Sequence, residues 1–134
     1  MSEADVAILQ SCWGAYRQGD VGLFLSLLGP DIKVYPRLEE PGVRECYEGH
    51  QEMFEYIENW FSGWDEYTTD PVNFIDAGEY VVVDFKEVGV NNSSGMRIEA
   101  NFAHAFKVED GRVVEWRMFG PVSEAFEALG LEQV

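Results

Sequence analysis

Apolar positions change their period partway along the chain. Up to about residue 63 they recur at three- and four-residue steps; beyond it they alternate singly. Val6, Leu9, Trp13 and Tyr16 form one stripe, widened by Ile8 and Cys12, which predicts a helix over residues 3–17. Gly19 ends it as a C-terminal cap, and Asp20 caps a short second helix over 21–28 with Phe24, Leu27 and Leu28 inward. Gly29-Pro30-Asp31 breaks that helix. Ile32 to Tyr35 reads as a short strand stopped by Pro36, which has no N–H to give a ladder. Residues 37–48 read as a surface loop. Gly49 then precedes a third helix, about 50–63, whose Met53, Phe54, Tyr56, Ile57, Trp60 and Phe61 spread over two adjoining faces.

The alternating part predicts strands at about 66–76, 79–90, 95–109 and 112–120. Turns fall at Ala77-Gly78, at 91–95 and at Asp110-Gly111, the last a strong hairpin signal. An acidic amphipathic helix over 123–129 closes the chain. Helices first and hairpin-joined strands afterwards argue for an α+β fold with a curled, mostly antiparallel sheet. Strands of this length twist. Three N-terminal helices laid into the concave side make a cone with room for a pocket. Without a repeat or linker, residues 1–134 are expected to form one domain.

On the strand 95–109, Ile98, Ala100, Phe102, His104, Phe106 and Val108 share one face. His104 therefore sits among phenylalanines, where a titratable group needs a partner or a ligand. It either donates a ring N–H to a carbonyl or tyrosine, or serves as acid, base or ligand donor; both readings stay open. Tyr16 lies one helical turn from Trp13, so the two share a wall, and Tyr35 is read as a second phenol near it. Val114, Trp116 and Met118 alternate on one face of the last strand, and Arg117 points away from it. The opposite face of the central strand carries Asn101, Ala103, Ala105 and Lys107. Small residues there predict the approach of a second sheet, hence a homodimer. Arg97 and Glu99 read as a solvated charge pair on that side. His50, at the start of the third helix, reads as structural.

Charge narrows the partners. The 134 residues hold 9 Lys+Arg against 25 Asp+Glu, a formal net charge of −16. Such a surface repels phosphate backbones and anionic lipid, so neither nucleic acid nor a membrane is expected as partner. An anionic substrate would need a local positive group. Cys12 and Cys46 have no metal-ligand spacing, and two reduced thiols suit a cytoplasmic protein. The N-terminus lacks a leader pattern and no apolar run reaches about 18 residues. No metal or cofactor is expected, because metal-ligand clusters, a Gly-rich phosphate loop and a Ser nucleophile elbow are all missing from the sequence.

Six segments carry a likeness: Ala15–Asp20, Pro30–Tyr35, Tyr47–His50, Phe74–Glu79, Phe102–Phe106 and Asp110–Arg117. Their order and spacing resemble the SnoaL-like branch of the nuclear transport factor 2-like superfamily, over nearly the whole chain. That superfamily includes ketosteroid isomerases, limonene epoxide hydrolases, polyketide cyclases and binding domains without catalysis. The resemblance puts Trp13 where ketosteroid isomerases have an enolate-holding tyrosine, Pro36 where they have the general base, and His104 where they have a protonated aspartate. Indole and proline cannot do the work of phenol and carboxylate, so ketosteroid isomerisation is not expected. The Asp–Arg–Asp set of the epoxide hydrolases finds only Arg97 and Glu99, on the wrong face. Where SnoaL-like relatives often end the last strand in aspartate, this chain has Gly120-Pro121.

The resemblance implies a pocket with His104 at its floor as acid/base and Tyr16 or Tyr35 as donor on the oxyanion side. Trp13, Trp60, Phe102, Phe106, Trp116 and Met118 would wall it, for an apolar cyclic or aromatic ligand bearing one or two oxygens. An isomerase, cyclase or lyase, a non-catalytic ligand-binding or accessory domain, and a dimeric module with a filled core all remain open on the sequence.

Overall fold

The computed structural model of the protein describes residues 2–37, 40 and 42–131. The helices are α1 (Ser2–Gln18), α2 (Val21–Ser26), α3 (Gly49–Ser62) and α4 (Val122–Ala128). The strands are β1 (Leu28–Tyr35), β2 (Tyr47–Glu48), β3 (Trp64–Ala77), β4 (Tyr80–Asn91), β5 (Arg97–Glu109) and β6 (Arg112–Met118). They form one sheet in the order β2-β1-β6-β5-β4-β3. β1 runs parallel to β6, and the other neighbours are antiparallel. The expected α+β architecture with a curled sheet is therefore present.

Three local features shape that sheet. Asp110 and Gly111 both take positive φ, 53° and 75°, the left-handed pair that a two-residue hairpin turn requires to match strand twist. Between Pro71 and Asn73 the β3–β4 register shifts, at a proline that cannot donate to the ladder. The extra residue lets Tyr67 and Phe74, an odd seven apart, face the same side opposite Gly89 and Val83. A second shift, between Lys107 and Val108, does the same for β6. Val113 thus joins Trp116 and Met118 on the inner face, rather than Val114 as strict alternation predicts.

Two expectations change for physical reasons. α2 ends at Ser26 and β1 begins at Leu28, so the helix stops before Gly29-Pro30-Asp31 and the triplet lies inside the strand. The strand absorbs those residues as an irregularity, Leu28 facing Val113 and Lys33 facing Glu115. The second concerns the small residues on the outer face of β5. Ala103 and Ala105 are fully buried, together with Val82, under Ala125 and Phe126 of α4. Small side chains there make a trough for the chain's own C-terminal helix. The small residues that suggested a second copy pack against α4 of the same chain.

On the concave side, Leu9 and Cys12 of α1 and Met53 and Tyr56 of α3 pack against Ile32, Val34, Val81, Val83, Phe85 and Val113. α1, α2 and α3 thus hold the inner face and α4 the outer. Among the described residues, no helix is long and apolar enough to cross a membrane.

Candidate functional site

The inner face does not close completely. Between α1, α3 and strands β3 to β6 lies a cavity with about 130 Å³ of room for water-sized molecules. A wider groove, about 570 Å³ by the same measure, shares Arg37, Glu40, Tyr56 and Trp60 with it. The cavity wall is largely aromatic, and its polar groups fall into two sets.

The first set sits on the sheet. Val81, Val83, Phe85 and Glu87 alternate inward along β4, so a carboxyl follows three apolar residues into the interior, where Glu87 is 6% exposed. Tyr67 of β3 donates its hydroxyl proton to Oε1 of Glu87. His104 of β5 places Nε2 3.4 Å from Oε2 of the same carboxyl. Trp116 of β6 donates its indole N–H to Nδ1 of His104 at 2.9 Å. Because Nδ1 accepts, a ring carrying one proton holds it on Nε2, facing Glu87. The result is a relay of four side chains from four adjacent strands. Gly89 makes it possible: a Cβ there would meet Tyr67 Cδ2 at 2.7 Å and Trp64 Cε3 at 2.8 Å. The missing side chain leaves space for Tyr67 to lie across β4.

The second set comes from α3 and the segment after β1. Tyr56 donates to Glu40, 2.9 Å from Oε1, and its oxygen lies 3.2 Å from Met118 Sδ. Burial pushes the Glu40 carboxyl above its ordinary range, against the pull of the Tyr56 hydrogen bond and the Arg37 charge. The Tyr56 phenol is pushed up by burial and then by Glu40, and that of Tyr67 by burial and then by Glu87. Both phenols therefore keep their protons at neutral pH and act as donors. The sets also feel each other, since Glu87 raises Tyr56 and Glu40 raises Tyr67. Arg37 stacks its guanidinium over Phe102, 4.6 Å from the ring centroid.

The sequence-predicted residues divide clearly. His104 lines the cavity, with both ring nitrogens facing protein partners. Trp13, Tyr16, Trp60, Phe102, Phe106, Trp116 and Met118 line it too. Tyr16 stacks on Trp13 at 5.0 Å but is 39% exposed, at the rim rather than the floor. Burial raises its phenol as well. Tyr35 stands outside the cavity. Ile32 and Val34 point inward with no exposure, so strand alternation turns Tyr35 to the other face, where Arg117 covers its ring at 4.1 Å. Arg117 thus points away, as expected, and pairs with Glu115 at 2.9 Å. His50 is structural, its Nε2 3.1 Å from the Leu28 carbonyl. Arg97 and Glu99 form an exposed pair at 3.1 Å.

Five site residues escaped the sequence reading: Arg37, Glu40, Tyr56, Tyr67 and Glu87. For Glu87 a signal existed in the alternation of β4. Tyr56 was legible only as a core position, Tyr67 needed the β3 bulge, and Glu40 lies in a segment without periodicity. The acids that seemed missing from the familiar places enter the cavity from other elements. Among the described residues, no group of three His, Cys, Asp or Glu side chains is arranged to hold a metal ion.

Residues 10–116 match the family model of the SnoaL-like domain. No curated protein matches the sequence. Among solved structures, an NTF2-like protein of unknown function from Burkholderia pseudomallei superposes with a TM-score of 0.75 at 21% identity, over 92% of this chain and 95% of that one. TerC, co-crystallised with polyporic acid, gives 0.75 at 20% identity, over 94% and 97%. A protein provisionally described as a polyketide cyclase, from Sinorhizobium meliloti, gives 0.65 at 17%, over 84% and 93%. At these identities the likeness is one of fold.

Proposed function

The chain belongs to the SnoaL-like domain family, and on that premise we propose that its cavity takes an apolar, cyclic or aromatic, oxygen-bearing small molecule and moves a proton on it. One observation carries this reading: two hydrogen-bonded acid–phenol pairs, Tyr67–Glu87 and Tyr56–Glu40, sit in a cavity walled largely by aromatic side chains. Oε2 of Glu87 is buried, lacks a well-formed hydrogen bond and is the acceptor at hand for a substrate proton. Glu87 is the general base in this reading. With a proton on Glu40, the form that burial favours, the carboxyl donates to the Tyr56 oxygen and frees the phenol proton for the substrate oxygen on which charge develops. His104, held by Trp116, positions Glu87 instead of touching the substrate. Proton removal from carbon and proton delivery to oxygen serve isomerisation, ring closure and elimination alike.

A second reading, ligand binding without catalysis, is favoured by the engagement of both His104 nitrogens within the protein. One experiment separates the two. 2-Tetralone, whose C–H beside the carbonyl is acidic, is incubated with the protein in D2O and followed by NMR. The catalytic reading expects accelerated deuteration at that carbon and a loss of about 10²- to 10⁴-fold in Glu87→Gln, the range for general acid–base groups. Quenching of tryptophan fluorescence by polyporic acid, without any acceleration, would leave binding alone.

A further inference from the structure

Building on that reading of the cavity, we propose that the ligand carries one acidic oxygen group, a carboxylate or an ionised enol, and that Arg37 holds it where the inner cavity meets the outer groove. A chain with a formal charge of −16 opposes an anion everywhere except beside a local cation. Arg37 is that cation: among the described residues it is the one Lys or Arg bordering either space, and it borders both.

Its surroundings differ from those of the four ion-paired arginines and from those of Arg112, which is exposed at the β5–β6 turn. Arg17, Arg44, Arg97 and Arg117 each have an acid within 4 Å. Arg37 has no such pair among the described residues, and its Nε is buried without a hydrogen-bond partner. A guanidinium donor sealed from water with nothing to accept its proton is costly. Its Cζ lies 4.6 Å from the centroid of the Phe102 ring, and no ion pair among the described residues engages the guanidinium, the group that recognises a pair of oxygens best. Glu40 accepts the Tyr56 hydroxyl and makes no ion pair with Arg37 within 4 Å, and burial works against its charge although Arg37 favours it. The ligand's ring enters the aromatic cavity, its acidic group stops at Arg37, and any remaining substituent continues into the groove.

The test compares 3-hydroxy-2-naphthoic acid with its methyl ester, two probes of one shape and different charge, by isothermal calorimetry at pH 7. The acid is expected to bind the unmodified protein about tenfold or more tightly than the ester, as a charge-assisted hydrogen bond provides. Arg37→Gln should erase that preference and Arg37→Lys should keep part of it. Equal affinities on the unmodified protein overturn the assignment, and so does a folded Arg37→Gln that still prefers the acid. Should Arg37→Gln not fold, the unmodified protein and Arg37→Lys decide. If neither probe binds, the pocket reading itself fails and this proposal falls with it.

Discussion

The two faces of strand β5 were built from alternate residues and ended differently. Outward, Ala103 and Ala105 disappear beneath Ala125 and Phe126 of α4, with no exposure left. Inward, Phe102, His104 and Phe106 are only partly buried and border open space. Small side chains outside allow a helix to approach until the contact is dry and close-packed. Large rings inside hold α1 and α3 off the sheet and leave a gap, which then collects the buried polar groups. The outer face is a filled core, and the inner face is a site. Both faces carry packed core, and only the inner one also leaves room for polar groups.

Truncating one phenylalanine on each face puts that contrast to the largest test. Phe126→Ala empties a packed position and is expected to cost about 3–5 kcal/mol, as aromatic deletions in cores do. Phe102→Ala enlarges a space that already exists and loses contacts on one side only, so it should cost less than half as much. Urea denaturation of the two variants measures both. Equal costs would mean that the inner face is packed as tightly as the outer, and the cavity would lose its claim to a ligand.

A smaller effect tests whether the polar groups are organised or merely enclosed. Tyr67→Phe removes the hydroxyl that Glu87 Oε1 accepts and leaves a buried carboxyl oxygen without a donor. The expected cost is about 1–3 kcal/mol, the penalty for an unsatisfied buried group. Deuteration of 2-tetralone should also fall, because Glu87 loses one of its two positioning contacts. If the variant matches the parent in both stability and exchange, the relay from Tyr67 to Trp116 is incidental.

How much of this was readable beforehand follows the same division. The change of apolar period gives the order of helices and strands, and Asp110-Gly111 gives the last hairpin, because these are local signals. The wall of the cavity was legible too, since Trp13, Phe102, His104 and Phe106 obey strict helical or strand spacing. What failed required knowledge beyond one element. The β3 bulge at Pro71 decides that Tyr67 faces inward, and that shift exists only relative to β4. Tyr35 looked equivalent to Tyr16 until the inward pair Ile32 and Val34 fixed the parity of β1. That Ala103 and Ala105 receive α4 of the same chain is a tertiary fact that no spacing along β5 announces.

Glu40 offers the finest distinction between enclosed and solvated acids. Burial raises its pKa above the ordinary value, with the Tyr56 hydrogen bond and Arg37 opposing but not winning. The sign follows from linkage: a carboxyl whose folded pKa exceeds its unfolded one favours the folded state while protonated. That contribution is fully present below the unfolded value near 4.5 and is lost as pH rises through the folded value. Glu40→Gln keeps a group of the same shape that cannot ionise, so its melting temperature should fall less than the parent's as pH rises from 4 toward 7. Exposed Glu99 supplies the contrast, because Lys86 and Arg97 lower its pKa. Glu99→Gln should lose ground against the parent over the same interval, slightly, as befits a fully solvated pair. Parallel melting curves for Glu40→Gln and parent across that range would show that the cavity solvates Glu40 as well as water does, and the difference between the two faces of the sheet would then be one of packing alone.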